Sequence, residues 1–288
     1  PKVALNLGNL ATLHDDLHKY DLAEEEYSET LNIYHKLAEK NLDAFLPNIA
    51  INLGNLANLH KHSHKYDLAE EEYSKTLNIY RKLAENNPDV FLPDIARNLV
   101  NVANYHKQSL KHDLAEKEYN EALDVYHKLA EKNSDVFLTF VAMNLVNLAN
   151  LHRISHKYDL AEEEYDKSLA IYRQLAEQHP TIFLSDVALS LGNLAFLHDD
   201  LHKYDLAEKE YSDVIELYGK LAEDNLYEFL PKMASYLDNI SSLHNDLHKK
   251  DLAEKEYFEA IEIYRQLAEN NPNTFLPNLA TDLGNLAN

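Results

Sequence analysis

The chain has 288 residues, with 49 acidic against 27 basic and a formal charge of −22 at neutral pH. A field of that sign repels nucleic-acid backbones and anionic membrane surfaces, so neither is expected as a partner. Cysteine is absent, which excludes disulfides and thiolate metal sites and fits a reducing, cytoplasmic setting.

Glycine is scarce (5) and the abundant Leu, Ala, Glu, Lys and Asn favour helix. No signal-peptide pattern opens the chain, and no apolar run approaches bilayer-spanning length. The same words recur along it. Asp-Leu-Ala-Glu begins at 21, 67, 113, 159, 205 and 251, always 46 residues apart. Phe-Leu recurs at 45, 91, 137, 183, 229 and 275. This period divides the chain into repeats 1–46, 47–92, 93–138, 139–184, 185–230 and 231–276, with a partial seventh over 277–288. No composition shift marks a second domain, so 1–288 reads as a single solenoid.

Within a period the first helix comes first. In the second repeat it is expected to open at Pro47, to carry Ile49, Leu53, Leu56 and Leu59 at helical spacing, and to end between His62 and Lys65. The second helix is expected from Asp67, which with Glu70 has the spacing of a capping box. Leu68, Ala69, Tyr73, Leu77, Tyr80 and Leu83 form its apolar stripe, and Asn86, Asn87 and Pro88 stop it. One such hairpin cannot bury its stripe alone, but stacked copies can. The fold class is therefore all-α, a right-handed solenoid of six helical hairpins plus a C-terminal half-repeat. Its ends are expected to expose Leu7, Leu10 and Leu13 on one side and Leu279, Leu283 and Leu286 on the other.

Histidines recur in pairs four apart, such as His14/His18 and His60/His64, and Leu110 breaks the pair in the third repeat. The spacing suits a metal on one helix face, but the second His falls at the turn between helices, where its tolerance of left-handed backbone is the better account. No metal and no cofactor is expected. Nucleophile–base pairs, phosphate-cradling glycine loops and paired buried carboxylates are all missing from the sequence, so the chain does not read as an enzyme.

The residues resemble the tetratricopeptide repeat. In the first unit the resemblance is carried by Leu7, Leu10-Ala11, His14, His18-Lys19-Tyr20, Ala23, Tyr27 and Thr30. It departs from that family in its 46-residue period, similar to the extended repeats of kinesin light chains, and in having His where the family has a helix aromatic and a turn glycine. The resemblance implies a protein–protein interaction scaffold whose groove is lined by the first helix of each hairpin, at Leu5, Gly8, Asn9, Thr12, Asp15 and Asp16 in the first unit.

At those positions Asn9, Asn55, Asn101, Asn147, Asn193 and Asn239 form an unbroken series, with Asn58, Asn104 and Asn150 as a second rung. An Asn amide both donates and accepts, so the series can hold a peptide backbone; the duller alternative is that it ties adjacent helices together. Lys61, Lys107 and Arg153 share one lining position, with Arg97 nearby, while Asp15, Asp199 and Asn245 occupy it elsewhere beside Asp16, Asp200 and Asp246. A basic centre between acidic ends suits an acidic segment. The leading expectation is a scaffold that holds a peptide or protein segment; the alternatives are a module that associates weakly end to end, or a consensus-derived chain without a natural ligand.

Overall fold

In the computed structural model the described residues are 1–286, apart from the side chains of Asp135 and Leu286. The expectation attached to Leu286 and the last two residues of the partial repeat lie outside them. The described residues form thirteen α-helices and no strand. They fall into two compact units, with the division between Asn144 and Leu145. Unit 1 contains α1 (Lys2–Asp16), α2 (Tyr20–Ala38), α3 (Leu42–His62), α4 (Tyr66–Asn86), α5 (Pro88–Gln108) and α6 (His112–Ala130). The division falls within α7 (Ser134–Ile154). Unit 2 contains α8 (Tyr158–Gln178), α9 (Pro180–Asp200), α10 (Tyr204–Asp224), α11 (Leu226–Asp246), α12 (Lys250–Asn270) and α13 (Pro272–Leu286).

Odd-numbered helices are the first, or A, helices of the repeats, and even-numbered ones are the B helices. In unit 1, α3 packs on both α2 and α4; in unit 2, α9 packs on both α8 and α10. Each B helix contributes a stripe of small and aromatic residues. In α4 it is Ala69, Tyr73, Thr76 and Tyr80, all essentially enclosed. The flanking A helices answer with Ala57 of α3 and Val102 and Tyr105 of α5, while Ile49, Leu56 and Leu59 of α3 pack toward α2. Full burial of a side chain such as Leu59 is worth roughly 1.5–3 kcal/mol, and the repeat multiplies it.

Three local expectations are corrected. The A helix of the second repeat begins at Leu42, so Pro47 lies inside it. The extra residues of the long period thus lengthen the A helix to 21 residues, and the side chain of Asn41 caps it by accepting from Ala44 N–H at 3.3 Å. The capping box is not formed: α4 starts at Tyr66, its N-cap is Lys65 without a side-chain cap bond, and Asp67 is already inside the first turn. There Asp67 faces the positive end of the helix dipole instead. Glu70 turns away to Lys111 and Tyr105 of the next hairpin. Leu68 and its counterparts point outward from that first turn and are exposed.

The A-to-B turn is one motif repeated. Lys65 N–H donates to His60 C=O at 2.8 Å and His64 N–H to Lys61 C=O at 3.3 Å. This is the Schellman arrangement, which needs its central residue in the left-handed region. His18, His64, His156, His202 and His248 take φ of 56–61° there, as does Leu110 at 58°. In the second repeat His64 also bonds through Nδ1 to Tyr66 Oη at 2.7 Å.

At the start of unit 1, Val3, Leu10 and Leu13 are exposed, whereas Ile49, Leu56 and Leu59 at the same phase are buried beneath α2. Leu7 and Leu279 are half-buried, and Leu283 is exposed. Among the described residues, α9 is the one helix long and apolar enough to cross a membrane by length and composition, with mean hydropathy 1.4. In unit 2 it is a core helix, enclosing Val187, Leu191, Leu194 and Leu197.

Leu110 is 80% exposed at its turn, so it brings left-handed strain without packing in return. Leu110→Gly should raise stability by about 1 kcal/mol, the lower end of the left-handed cost for a side chain. A urea melt checks this; a lower midpoint for the variant would refute the strain.

Candidate functional site

Because B helices cover both flanks of an A helix, one A-helix strip keeps access to solvent. On α3 it runs through Ile51, Asn55, Asn58 and His62, spaced four, three and four apart. Asn9, Asn55 and Asn101 in unit 1, and Asn147, Asn193 and Asn239 in unit 2, hold one position of it. Asn9 is exposed and the others are half-buried. None of the six makes a side-chain hydrogen bond among the described residues, so they do not tie the helices together.

The second rung is different. Tyr73 Oη donates to Asn58 Oδ1 at 2.6 Å, Tyr119 to Asn104 at 2.7 Å and, in unit 2, Tyr165 to Asn150 at 2.8 Å. Thr12 and Tyr27 pair likewise at 2.9 Å. These asparagines satisfy buried tyrosine hydroxyls with their carbonyls, so only the amide –NH₂ is left toward the strip. At Gly8 a Cβ would stand 2.9 Å from Asn52 Oδ1 of α3, so the glycine permits close helix–helix approach.

The basic residues do not act as one group. In unit 1, Lys61 is half-buried; burial lowers its pKa and the nearby Asp15 opposes that. Lys107 is also lowered by burial, and it forms no ion pair among the described residues. Arg97 is exposed but its guanidinium is held by Asp94 on the same helix. In unit 2, Arg153 Nη1 is spent on Asp200 Oδ2 at 2.9 Å.

The first histidine of each pair has a structural task. His60 Nδ1 meets Glu72 Oε2 of its own hairpin at 2.7 Å, and its Nε2 meets Glu24 Oε1 of the preceding one at 3.2 Å. Lys65 also holds Glu24. In unit 2, His198 bridges Glu210 at 2.7 Å and Glu162 at 3.3 Å, and His244 bridges Glu256 at 2.8 Å and Glu208 at 3.3 Å. Burial pulls the His60 pKa down, but its bonds to Glu72 and Glu24 outweigh this and raise it; for His198 the bond to Glu210 leads. The paired histidines therefore have separate partners, the second at the turn and the first between two glutamates.

One acidic pair in unit 2 corrects the expectation that buried carboxylates are not paired. Asp282 stands where earlier repeats have Asn52, Asn98 and Asn144, and it faces Asp238. Burial, then the Asp282 charge, pushes the Asp238 pKa up to about 7. Tyr264 Oη donates to Asp238 Oδ2 at 3.3 Å.

The repeated element in each unit is a helical hairpin packed on its neighbours. Residues 140–220 match the family model of the tetratricopeptide repeat. BtubC (BKLC) from P. vanneervenii aligns with TM-score 0.67 and 19% identity, over 86% of this chain and 91% of that one. A putative kinesin light chain from Podosopora anserina, with nearly identical TPR-like repeats, aligns with TM-score 0.58 and 16% identity over 76% and 95%. A Rap protein complexed with Competence and Sporulation Factor aligns with TM-score 0.54 and 18% identity over 98% and 74%. No curated protein matches the sequence. At these identities the likeness is one of fold.

The Asp238 carboxyl has a folded pKa above its unfolded value of about 3.9. Its stabilising share is therefore complete below that value and is lost as pH rises toward 7. Asp282→Asn restores the residue of the earlier repeats, and its stability relative to the parent should grow between pH 4 and 7 and then level off. Urea midpoints across that range check this; a constant difference would show that the two carboxyls do not interact.

Proposed function

We propose that the A-helix strip holds an extended peptide or protein segment, and that unit 1 takes an acidic one. The observation that carries this is the set of unengaged amides of Asn9, Asn55 and Asn101 beside Lys107, a half-buried cation without an ion-pair partner. Amides at a constant phase can donate to and accept from a ligand backbone without reading its side chains. Lys107 then sets register, because an acidic side chain relieves its lack of a counter-charge. Against the chain's net charge of −22, a local cation selects where an acidic segment can settle. The Rap protein complexed with Competence and Sporulation Factor, of the same fold, is consistent with ligand holding by such stacks.

An acidic peptide titrated by fluorescence anisotropy should bind more weakly as salt rises. Asn55→Ala and Asn101→Ala should each weaken it about two- to tenfold, the worth of a lost neutral hydrogen bond. Lys107→Glu should weaken it about tenfold or more while the melt stays nearly unchanged. Equal binding by Lys107→Glu would sink the acidic-ligand reading.

A further inference from the structure

The strip of unit 2 has different chemistry where α9, α10 and α11 meet. We propose that this surface binds an extended segment carrying a basic side chain close to an apolar one. The inference rests on the reading that A-helix strips hold extended chains, and it names the ligand class for unit 2.

The first observation is a broken pairing. Tyr27, Tyr73, Tyr119 and Tyr165 each bond to the residue fifteen before them. The residue fifteen before Tyr211 is Phe196, which offers no acceptor. Tyr211 is fully enclosed, and its hydroxyl lacks the A-helix acceptor of the other repeats and is left with the Asp199 carboxyl. It looks toward Asp199: burial, followed by the Asp199 charge, drives its pKa far upward.

The second observation is charge. Burial raises the Asp199 pKa, and Asp200 and Asp246 raise it further, with His202 opposing them. The His202 ring is engaged through Nδ1 with Tyr204 at 2.7 Å. Arg153 reaches this group only at Asp200. Asp199 and Asp246 have no ion-pair partner among the described residues. Three carboxylates thus face one guanidinium, and an ammonium or guanidinium from outside would relieve the acids.

The third observation is the apolar approach. Leu189 is 49% and Phe196 38% exposed on the same strip of α9, with Asn193 between them. The Phe196 ring is fixed edge-on to Tyr211 at 5.7 Å and against Tyr236 at 5.9 Å, so it is a firm platform. From Leu189 to Asp200 the helix rises about 16 Å, the reach of about five extended residues. A ligand that uses both parts is therefore a chain with apolar and basic side chains, rather than an isolated cation.

The test uses Gly/Ser peptides of about nine residues bearing a Leu and an Arg, a Leu and a Glu, or a Ser and an Arg, titrated against the whole chain by anisotropy. The Leu/Arg peptide should bind about tenfold more tightly than either other one. Asp199→Asn combined with Asp246→Asn should remove that advantage. Phe196→Asn gives Tyr211 the acceptor that Asn58 gives Tyr73, so it should melt no lower than the parent. It should also reduce Leu/Arg binding to the Ser/Arg level. The proposal is overturned if Leu/Arg and Ser/Arg peptides bind alike, which would leave only attraction to net charge, or if the double Asn variant binds as the parent does. Asn193→Ala separates the two readings. If it leaves binding intact while the acid-site variants abolish it, the cation site stands and backbone holding by the asparagines falls. If it weakens every peptide equally with no Leu/Arg preference, backbone holding stands and the basic-ligand inference falls.

Discussion

An A helix such as α3 or α9 is held between two B helices, its own and the one before it. That arrangement allots every residue of the A helix a neighbour by its phase in the 46-residue period. Positions facing B helices must be apolar, or polar with a partner; one strip has no such obligation. The bridging histidines sit where the two obligations meet. His60 and His198 each contact a glutamate of their own hairpin and one of the preceding hairpin, so a single ring enforces the spacing of successive B helices. A lysine at the turn, Lys65 or Lys203, completes each bridge. The buried His60 ring, with both nitrogens hydrogen-bonded, is also directional in a way that the usual aromatic is not.

Much of this could be read from spacing. The Ala69, Tyr73, Thr76 and Tyr80 stripe and the stop at Asn86 to Pro88 follow from helical periodicity and from turn chemistry. The capping box was misleading because Tyr66 joins the helix ahead of Asp67, and Glu70 finds stronger partners in the next hairpin. The start of α3 is not legible at Pro47, because proline marks helix starts in general, yet here a longer helix tolerates it. The histidine bridge had a signal: a Glu follows each such His by twelve residues in every repeat. Helical pattern reading looks three or four residues away, and so passes over a contact made through a turn.

The strip shows the same divide. The asparagine series was visible as a series, but sequence could not tell that Asn55 is unengaged while Asn58 serves Tyr73. Nor could it show that Arg153, grouped with Lys61 and Lys107 by phase, is neutralised by Asp200. Phase gives the position of a side chain; only its neighbours decide whether its charge or amide is available. Phe196 carries no signal in the sequence for the same reason, since its importance is the hydrogen bond it withholds from Tyr211.

The His–Glu–Lys bridge also bears on how such a chain changes length. Its members lie on three consecutive helices and the turn between the last two, at fixed phase, so in-frame duplication or loss of one 46-residue block creates a junction with the same chemistry as the one it interrupts. Copy number can drift by recombination without a new interface having to be invented. What selection then shapes is the order of the strips, which become cassettes arranged along the gene.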